Sequence, residues 1–418
     1  MRSTIKKGKR ILGIILTACM LMSLAGCGEE KIISQDYQRG NTHHKYANAV
    51  MKTDTGYYYS QGGFGWLSLH YYDAANGKNM FLCNKPECRH EGDEFCVATS
   101  EKYMVFDTVL YSNKLYINVI ETTDSTYEYK LLRAALDGSS LDEVVTYLTV
   151  NKVEVTPDTS PMVIHRNKAF LPYNVNNVNN QEIGYNGVAI YDLETEEVTY
   201  LGDKEGDLKV KKTNLCGYGD YLYFVTAEKY KQRLCRYSYA DGSVEELPLE
   251  RTFMGDYAIY DDDTIFYVRG NSELFIHNPK TGENKNVNIQ EWYGIKTGEN
   301  SGRSGYEGLV SDGKYLYVAE HGYLKSYSPV SVSEGYMEDG SDLDFMEVNI
   351  MDGEGSLVNS FRFNTVEVLG CNDFFLLHFC GDIIYMQTSK MMYECNREDF
   401  VAGRPEFKEV YPIDIWLP

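Results

Sequence analysis

The chain has 418 residues, of which 43% are hydrophobic and 24% charged, a balance that marks a globular protein with a sizeable core and excludes a disordered one. With 61 Asp and Glu against 40 Lys and Arg, its formal net charge is -21, which excludes a general electrostatic grip on nucleic acid or anionic lipid. The 36 Tyr and 36 Gly, against 3 Trp and 10 Pro, favour strands and tight turns over helices.

Residues 1–26 read as an export leader. Arg2, Lys6, Lys7, Lys9 and Arg10 precede ILGIILTACMLMSLAG, an apolar run too short to be read as a membrane span. The run ends in Leu24-Ala25-Gly26-Cys27, and this LAGC resembles the lipobox of bacterial lipoproteins. The resemblance implies that Cys27 is diacylglycerated and becomes the first mature residue; an ordinary secretory leader with a chance cysteine is the alternative. Each buried CH₂ of an acyl chain contributes about 0.8 kcal/mol, and two chains anchor stably. The expected location is therefore the extracellular face of the cell membrane. Residues 27–41, CGEEKIISQDYQRGN, read as a polar tether, and residues 42–418 as the folded body. Removing the leader deletes only positive charge, so the body becomes more acidic and depends on the lipid rather than on headgroup attraction.

Beyond the tether a unit recurs: a strand rich in Tyr and branched residues, a polar loop, a second strand, then a glycine turn. Seven copies begin at GYYYS (56–60), KLYINV (114–119), KAFLPY (168–173), YLYFVT (221–226), TIFYVR (264–269), KYLYVA (314–319) and DFFLLH (373–378). Their second strands are SLHYYD, KLLRAALD, GVAIYDL, RLCRYSY, ELFIHN, YLKSYS and MMYECN, and most close on a turn such as DAANG, DGSS, ADGS or NPKTG. The last copy departs from this, with NREDF in place of a glycine turn. Successive copies start about 43 to 59 residues apart, near the 40 to 50 of a four-stranded propeller blade. Strands apolar on both faces, such as Tyr221 to Thr226, suit a blade packed between two neighbours. The pattern predicts an all-β chain folded as a seven-bladed β-propeller, with six blades plus an irregular cap as the alternative. Ring closure is expected from a strand near KYANAVM pairing with the last blade, because open edges invite aggregation.

The LYF-type strand, the L-x-R-Y-type strand of RLCRYSY and the Asp-Gly turn resemble the TolB-like and related uncharacterised propeller domains of Gram-positive surface lipoproteins. The resemblance covers nearly the whole mature chain. It implies fold and location; propellers host enzymes, receptors and scaffolds alike, so it implies no chemistry.

The sharpest local signal is CNKPECRHEGDEFC, residues 83–96, which gathers Cys83, Cys88, His90 and Cys96 with Pro86 favouring a turn between the first two. Zinc takes tetrahedral Cys and His donors, although the Cys88-Arg89-His90 step is tighter than in most zinc pairs. A disulfide-stapled loop fits equally well in an exported protein, and a thiol activated by His90 is a third reading. The resemblance implies a role for this Cys-Lys-Pro-x-Cys-x-His stretch shared with similar lipoproteins, without naming it. The stretch follows the outermost strand of the first blade, which places it on the rim shared with the loops between the two middle strands. Of the other mature cysteines, Cys216, Cys235, Cys371, Cys380 and Cys395, those within strands read as small buried hydrophobes. A Cys371–Cys380 or Cys380–Cys395 bridge is also compatible with the spacing.

Phe64, Trp66, Tyr127, Tyr185, Tyr230 and Tyr323 are expected in the loops between middle strands, with an Asn-rich excursion at residues 174–187. Together they predict an aromatic and amide-lined mouth suited to a glycan or peptide; each Tyr taken singly also reads as ordinary strand filling. The acidic stretch 333–345 lacks the spacing of a calcium loop and reads as a solvated insertion. There is no G-x-S-x-G, H-E-x-x-H, P-loop or G-x-G-x-x-G, and no carboxylate pair can be named. The function expected is a lipid-anchored extracellular binding or scaffold protein, monomeric, holding a glycan, a peptide or an envelope protein. Two alternatives stand beside it: an envelope enzyme using Cys83, Cys88, His90 and Cys96 as a metal or thiol centre, and an accessory to a transporter or sensor.

Overall fold

The computed structural model describes residues 51–63, 66–91, 96–152, 155–158, 161–177, 185–201, 215–228, 231–250, 257–269, 273–287, 306–322, 345–369, 376–380, 382–387 and 391–412, all within the compact unit Gln38–Pro418. The leader, Cys27 and the tether lie outside the described residues.

Seven antiparallel sheets follow one another along the chain, each built from consecutive strands. Blade 1 pairs Met51–Lys52, Gly56–Gly63, Trp66–Asp73 and Lys78–Phe81 in that order, with Thr99–Ser100 added beside Trp66–Asp73. Blade 2 is Tyr103–Tyr111, Lys114–Thr122, Thr126–Ala135 and Leu141–Asn151. In blade 3 the first strand comes in two pieces, Val155–Asp158 and Val163–His165, both against Lys168–Asn177; Tyr185–Asp192 and Val198–Tyr200 complete it. Blade 4 is Cys216–Tyr218, Tyr221–Glu228, Lys231–Ser238 and Val244–Glu246; blade 5 is Tyr257–Asp261, Thr264–Arg269, Glu273–His277 and Asn284–Val287. Blade 6 is Tyr306–Ser311, Leu316–Gly322, Phe345–Met351 and Leu357–Asn364, and blade 7 is Leu376–Cys380, Ile383–Gln387, Met391–Asn396 and Lys408–Pro412. This is the seven-bladed propeller that the repeat predicts.

Apolar alternation on both strand faces explains the ring. In Tyr221–Glu228, Leu222 and Phe224 pack with Phe170 and Val188 of blade 3, whereas Tyr223 and Val225 pack with Tyr257 and Ile265 of blade 5. Among the described residues the buried side chains form seven such clusters, one at each seam between successive blades, including the seam between blades 7 and 1. Burying a side chain such as Phe224 contributes about 1.5–3 kcal/mol, and a blade alone has neither neighbour to bury it against. The tyrosine excess belongs to the same seams, because a phenol packs its ring and still carries a hydrogen bond across. Tyr58 Oη donates to the Leu136 carbonyl at 3.0 Å, joining blades 1 and 2, and Tyr129 Oη to the Asn174 carbonyl at 2.9 Å, joining blades 2 and 3. Tyr57 Oη donates to Glu394 Oε2 at 3.1 Å, joining blades 1 and 7.

Two details differ from the sequence expectation, and the expected closing strand falls largely outside the described residues. Of KYANAVM only Met51 is described, and Met51–Lys52 pairs within blade 1 against Tyr57 and Tyr58. Among the described residues the seam between blades 7 and 1 packs through Tyr57, Tyr59, Tyr385, Met392 and Tyr411. The repeats are the second and third strands of each blade, except in the seventh, where Leu376–Cys380 is the first strand and Ile383–Gln387 the second. In blade 6 the third strand is Phe345–Met351; YLKSYS and residues 333–344 lie outside the described residues.

Among the described residues helix is confined to two short segments, Thr365–Leu369 and Arg397–Val401. The second explains NREDF: the Asn396 side chain accepts from the amides of Glu398 at 2.8 Å and Asp399 at 3.3 Å, capping a turn of helix where blades 1, 2, 4, 5 and 6 carry a left-handed glycine and blade 3 carries Glu196 at φ 60°. Among the described residues no helix is long and apolar enough to cross a membrane.

Candidate metal centre

The outer strand of blade 1 covers only half of its partner. Phe81 lies opposite His70, and the next amide, Leu82 N–H, donates to the Leu69 carbonyl at 2.9 Å. There the chain leaves the sheet. It returns at Ala98, whose carbonyl accepts from Leu69 N–H at 2.7 Å, and Thr99–Ser100 resumes the edge opposite Ser68 and Leu67. The described residues between these points, 83–91 and 96–97, thus belong to an excursion whose two ends face one residue. The stretch leaves from partway along the outer edge of blade 1, which corrects its expected place on the rim. The sequence cannot show this because a resumed strand of two residues carries no periodic signal.

Cys83 opens the excursion and Cys96 closes it. Between them Pro86 sets a turn in which Cys88 N–H donates to the Lys85 carbonyl at 3.2 Å, and this turn returns Cys88 toward Cys83. His90 adopts φ 58°, a left-handed conformation that costs a non-glycine residue about 1–3 kcal/mol, and its ring stacks on Phe81 at 4.7 Å. The result is convergence: one donor atom from each of Cys83, Cys88, His90 and Cys96 lies within 4.8 Å of all the others. Cys96 Sγ is 3.5 Å from His90 Nδ1. All three cysteines are free thiols. Residues 92–95 lie outside the described residues.

Backbone amides point at the sulfurs. Removal from water disfavours the Cys83 thiolate, but the N–H groups of Lys85 and Val97 and the thiols of Cys88 and Cys96 outweigh this and hold Cys83 below the usual thiol range. At Cys88 the N–H of His90 favours the thiolate, yet desolvation and the neighbouring sulfurs Cys96 and Cys83 push the thiol up to about 11. Thr99 N–H donates to Cys96 Sγ at 3.3 Å. Three sulfurs this close cannot all ionise against one another unless a cation joins them. A soft or borderline cation is what the donor set can hold.

The centre also touches blade 2. Asn84 N–H donates to the Gly138 carbonyl at 3.2 Å. Gly138 sits at φ +70° in the DGSS turn, and a Cβ there would lie 2.8 Å from the Cys83 nitrogen. Phe81 and Gly138 are the contributors that sequence reading missed; an aromatic two residues before the first cysteine was the available signal for Phe81.

The other sequence candidates separate. Phe64, Tyr230 and Tyr323 lie outside the described residues, as does Cys371. Trp66 and Tyr185 open the third strands of blades 1 and 3, and Tyr127 is the second residue of the third strand of blade 2, so all three stand at the same end of equivalent strands. Tyr127 is half-buried, with the Lys152 ammonium 5.5 Å from its ring centre. Phe345 opens the third strand of blade 6 at the equivalent place, which the misplaced repeat concealed. Cys216, Cys235 and Cys395 are buried free thiols, each pushed up by desolvation, as small core residues are; Cys380 ends a first strand in blade 7.

No protein-family model matches the chain, and no curated protein matches it in sequence. Solved structures are similar to it in shape. A Mycobacterium tuberculosis puromycin-hydrolyzing peptidase shares 14% identity at a TM-score of 0.43 over 77% of this chain, which spans only 46% of the peptidase. The β-propeller domain of the trilobed protease of Pyrococcus furiosus shares 13% identity at a TM-score of 0.41, over 73% of this chain and 82% of that one. The uncharacterized protein lmo1340 of Listeria monocytogenes shares 9% identity at a TM-score of 0.46, over 92% of this chain and 96% of its own.

Proposed function

We propose that the protein is a lipid-anchored binding or scaffold module on the outer face of the cell membrane, in the manner of the TolB-like surface lipoproteins it resembles. The reading combines the lipobox at Cys27 with a ring stiffened at every seam. One observation carries the binding role: aromatic residues recur at the same end of the third strand in blades 1, 2, 3 and 6, as Trp66, Tyr127, Tyr185 and Phe345. Aromatic residues at one end of four blades suit the apolar faces of sugars or the side chains of an extended peptide. The Cys83, Cys88, His90 and Cys96 group is less suited to catalysis, because four protein donors leave a tetrahedral ion no position for substrate.

The test is a glycan and peptide screen with the mature chain, followed by Trp66→Ala and Tyr127→Ala. A ligand whose affinity falls about tenfold or more in the double variant supports the reading, in line with the loss of two stacking residues. A ligand unaffected by both substitutions would place binding elsewhere and overturn it. Membrane fractionation of Cys27→Ala tests the anchor: the variant is expected in the soluble fraction, and undiminished membrane retention refutes lipidation.

A further inference from the structure

We propose that Cys83, Cys88, His90 and Cys96 bind one zinc ion in a closed structural site that pins the 83–97 excursion to the seam between blades 1 and 2. The inference is independent of what the ring binds.

Four observations converge on it. Three sulfurs and one imidazole nitrogen form a Cys₃His set, one that zinc takes when all four positions belong to the protein. Their mutual separation is nearly that of a coordination shell. Zn–S bonds of about 2.3 Å put tetrahedral sulfurs roughly 3.8 Å apart, so contraction by about 1 Å at most, within one loop, completes the site.

Each sulfur also receives a backbone N–H. Cys83 accepts from the amide of Lys85, Cys88 from that of His90 and Cys96 from that of Thr99, so an N–H two or three residues after each cysteine turns back on it. A protonated thiol is a weak acceptor and gains little from this, whereas a metal-bound thiolate gains a charge-assisted hydrogen bond. Finally, the histidine is held ready at a cost. Its left-handed backbone and its stack on Phe81 aim Nδ1 at Cys96. A disulfide has no use for that strain; a fourth ligand does.

The thiolate majority excludes magnesium and calcium, which take oxygen donors, and four protein ligands exclude an open catalytic ion. Zinc displaces the thiol protons on binding and changes no oxidation state, so no oxidant or reductant is needed. The site is placed to hold structure. Its first and last ligands sit at the neck opposite Leu69, and the chain between them is tied to Gly138 of the next blade.

The experiment uses the purified mature chain prepared without chelator. Elemental analysis is expected to give one zinc per chain, and iodoacetamide with peptide mass mapping is expected to leave Cys83, Cys88 and Cys96 unlabelled until a chelator is added. Cobalt exchanged into the unaltered protein should show tetrahedral d–d bands with sulfur-to-cobalt charge transfer, unchanged by added cyanide or azide. Cys83→Ser should weaken the metal by about 100-fold or more; if that variant does not fold, the cobalt spectrum of the unaltered chain still decides. A Cys–Cys disulfide among the three, full labelling without chelator, stoichiometric iron or copper in place of zinc, or a cobalt spectrum that responds to cyanide would each overturn the proposal.

Discussion

The rings of Tyr59 and Tyr411 stack 4.7 Å apart with 14° between their planes, so the second strand of the first blade meets the last strand of the last blade through side chains. The stack runs on through His70 at 4.9 Å from Tyr59, Phe81 at 4.8 Å from His70 and His90 at 4.7 Å from Phe81. A run of rings therefore connects the ring closure to the candidate metal centre.

Among the described residues the closing seam is held by side-chain packing. Tyr411 is 3% exposed and also lies against Tyr57 at 5.6 Å. Tyr411→Ala is expected to cost about 3–5 kcal/mol, the range for deleting a buried aromatic ring. Val244→Ala, on an outer strand and 38% exposed, is expected to change stability by less than about 0.5 kcal/mol. Urea unfolding of the two variants checks this, and equal losses would show that the seam carries no special weight.

Acid should weaken blade 3 at a defined carboxylate. The Lys168 ammonium beside Asp192, helped by the amides of Thr195 and Glu194 and opposed by partial burial, holds its carboxyl down to about 2. An unfolded Asp titrates near 3.9, so between these values the unfolded chain binds the extra proton and stability falls as pH falls. The contribution is complete above about pH 4 and gone below about pH 2. Asp192→Asn keeps the acceptor oxygen and loses the charge; it is expected to cost about 1 kcal/mol at pH 7, once solvent screening is allowed for, and nothing at pH 2. Urea midpoints of both proteins across that range are the measurement, and a gap that persists at pH 2 would contradict the assignment.

The architecture was legible because every blade must bury two faces, which writes apolar residues such as Leu222, Tyr223, Phe224 and Val225 in unbroken runs. What that signal lacks is phase. DFFLLH is as apolar as IIYMQ, so a first strand passed for a second in blade 7, and the insertion before Phe345 hid the third strand of blade 6. The pairing of Met51–Lys52 is equally silent in the sequence: the strand is two residues long, and its partner follows from chain reversal at Thr53, whose N–H donates to the Gly56 carbonyl at 2.8 Å, not from hydrophobic pattern. The four donors were visible as residue types at a spacing. Their convergence was not, because it depends on Leu69 holding both ends of the excursion and on Gly138, which lies 55 positions beyond Cys83 in the sequence and adjoins it in the fold.

That last approach gives a sharp test. At Gly138 an alanine Cβ would lie 2.8 Å from both the Cys83 nitrogen and the Leu82 carbonyl carbon, and backbone cannot swing aside as a flexible side chain can. The left-handed φ of +70° adds about 1–2 kcal/mol of strain for any residue with a Cβ. Gly242 makes the control: its φ is +72°, but the nearest atom to a new Cβ is Tyr237 Oη at 3.8 Å, so only the strain applies. Gly242→Ala should cost about 1–2 kcal/mol and leave metal binding untouched. Gly138→Ala should cost more in urea unfolding and weaken cobalt binding about tenfold, because Cys83 must move with the displaced backbone. If the two alanine variants match in both stability and metal affinity, the turn of blade 2 does not position the cluster.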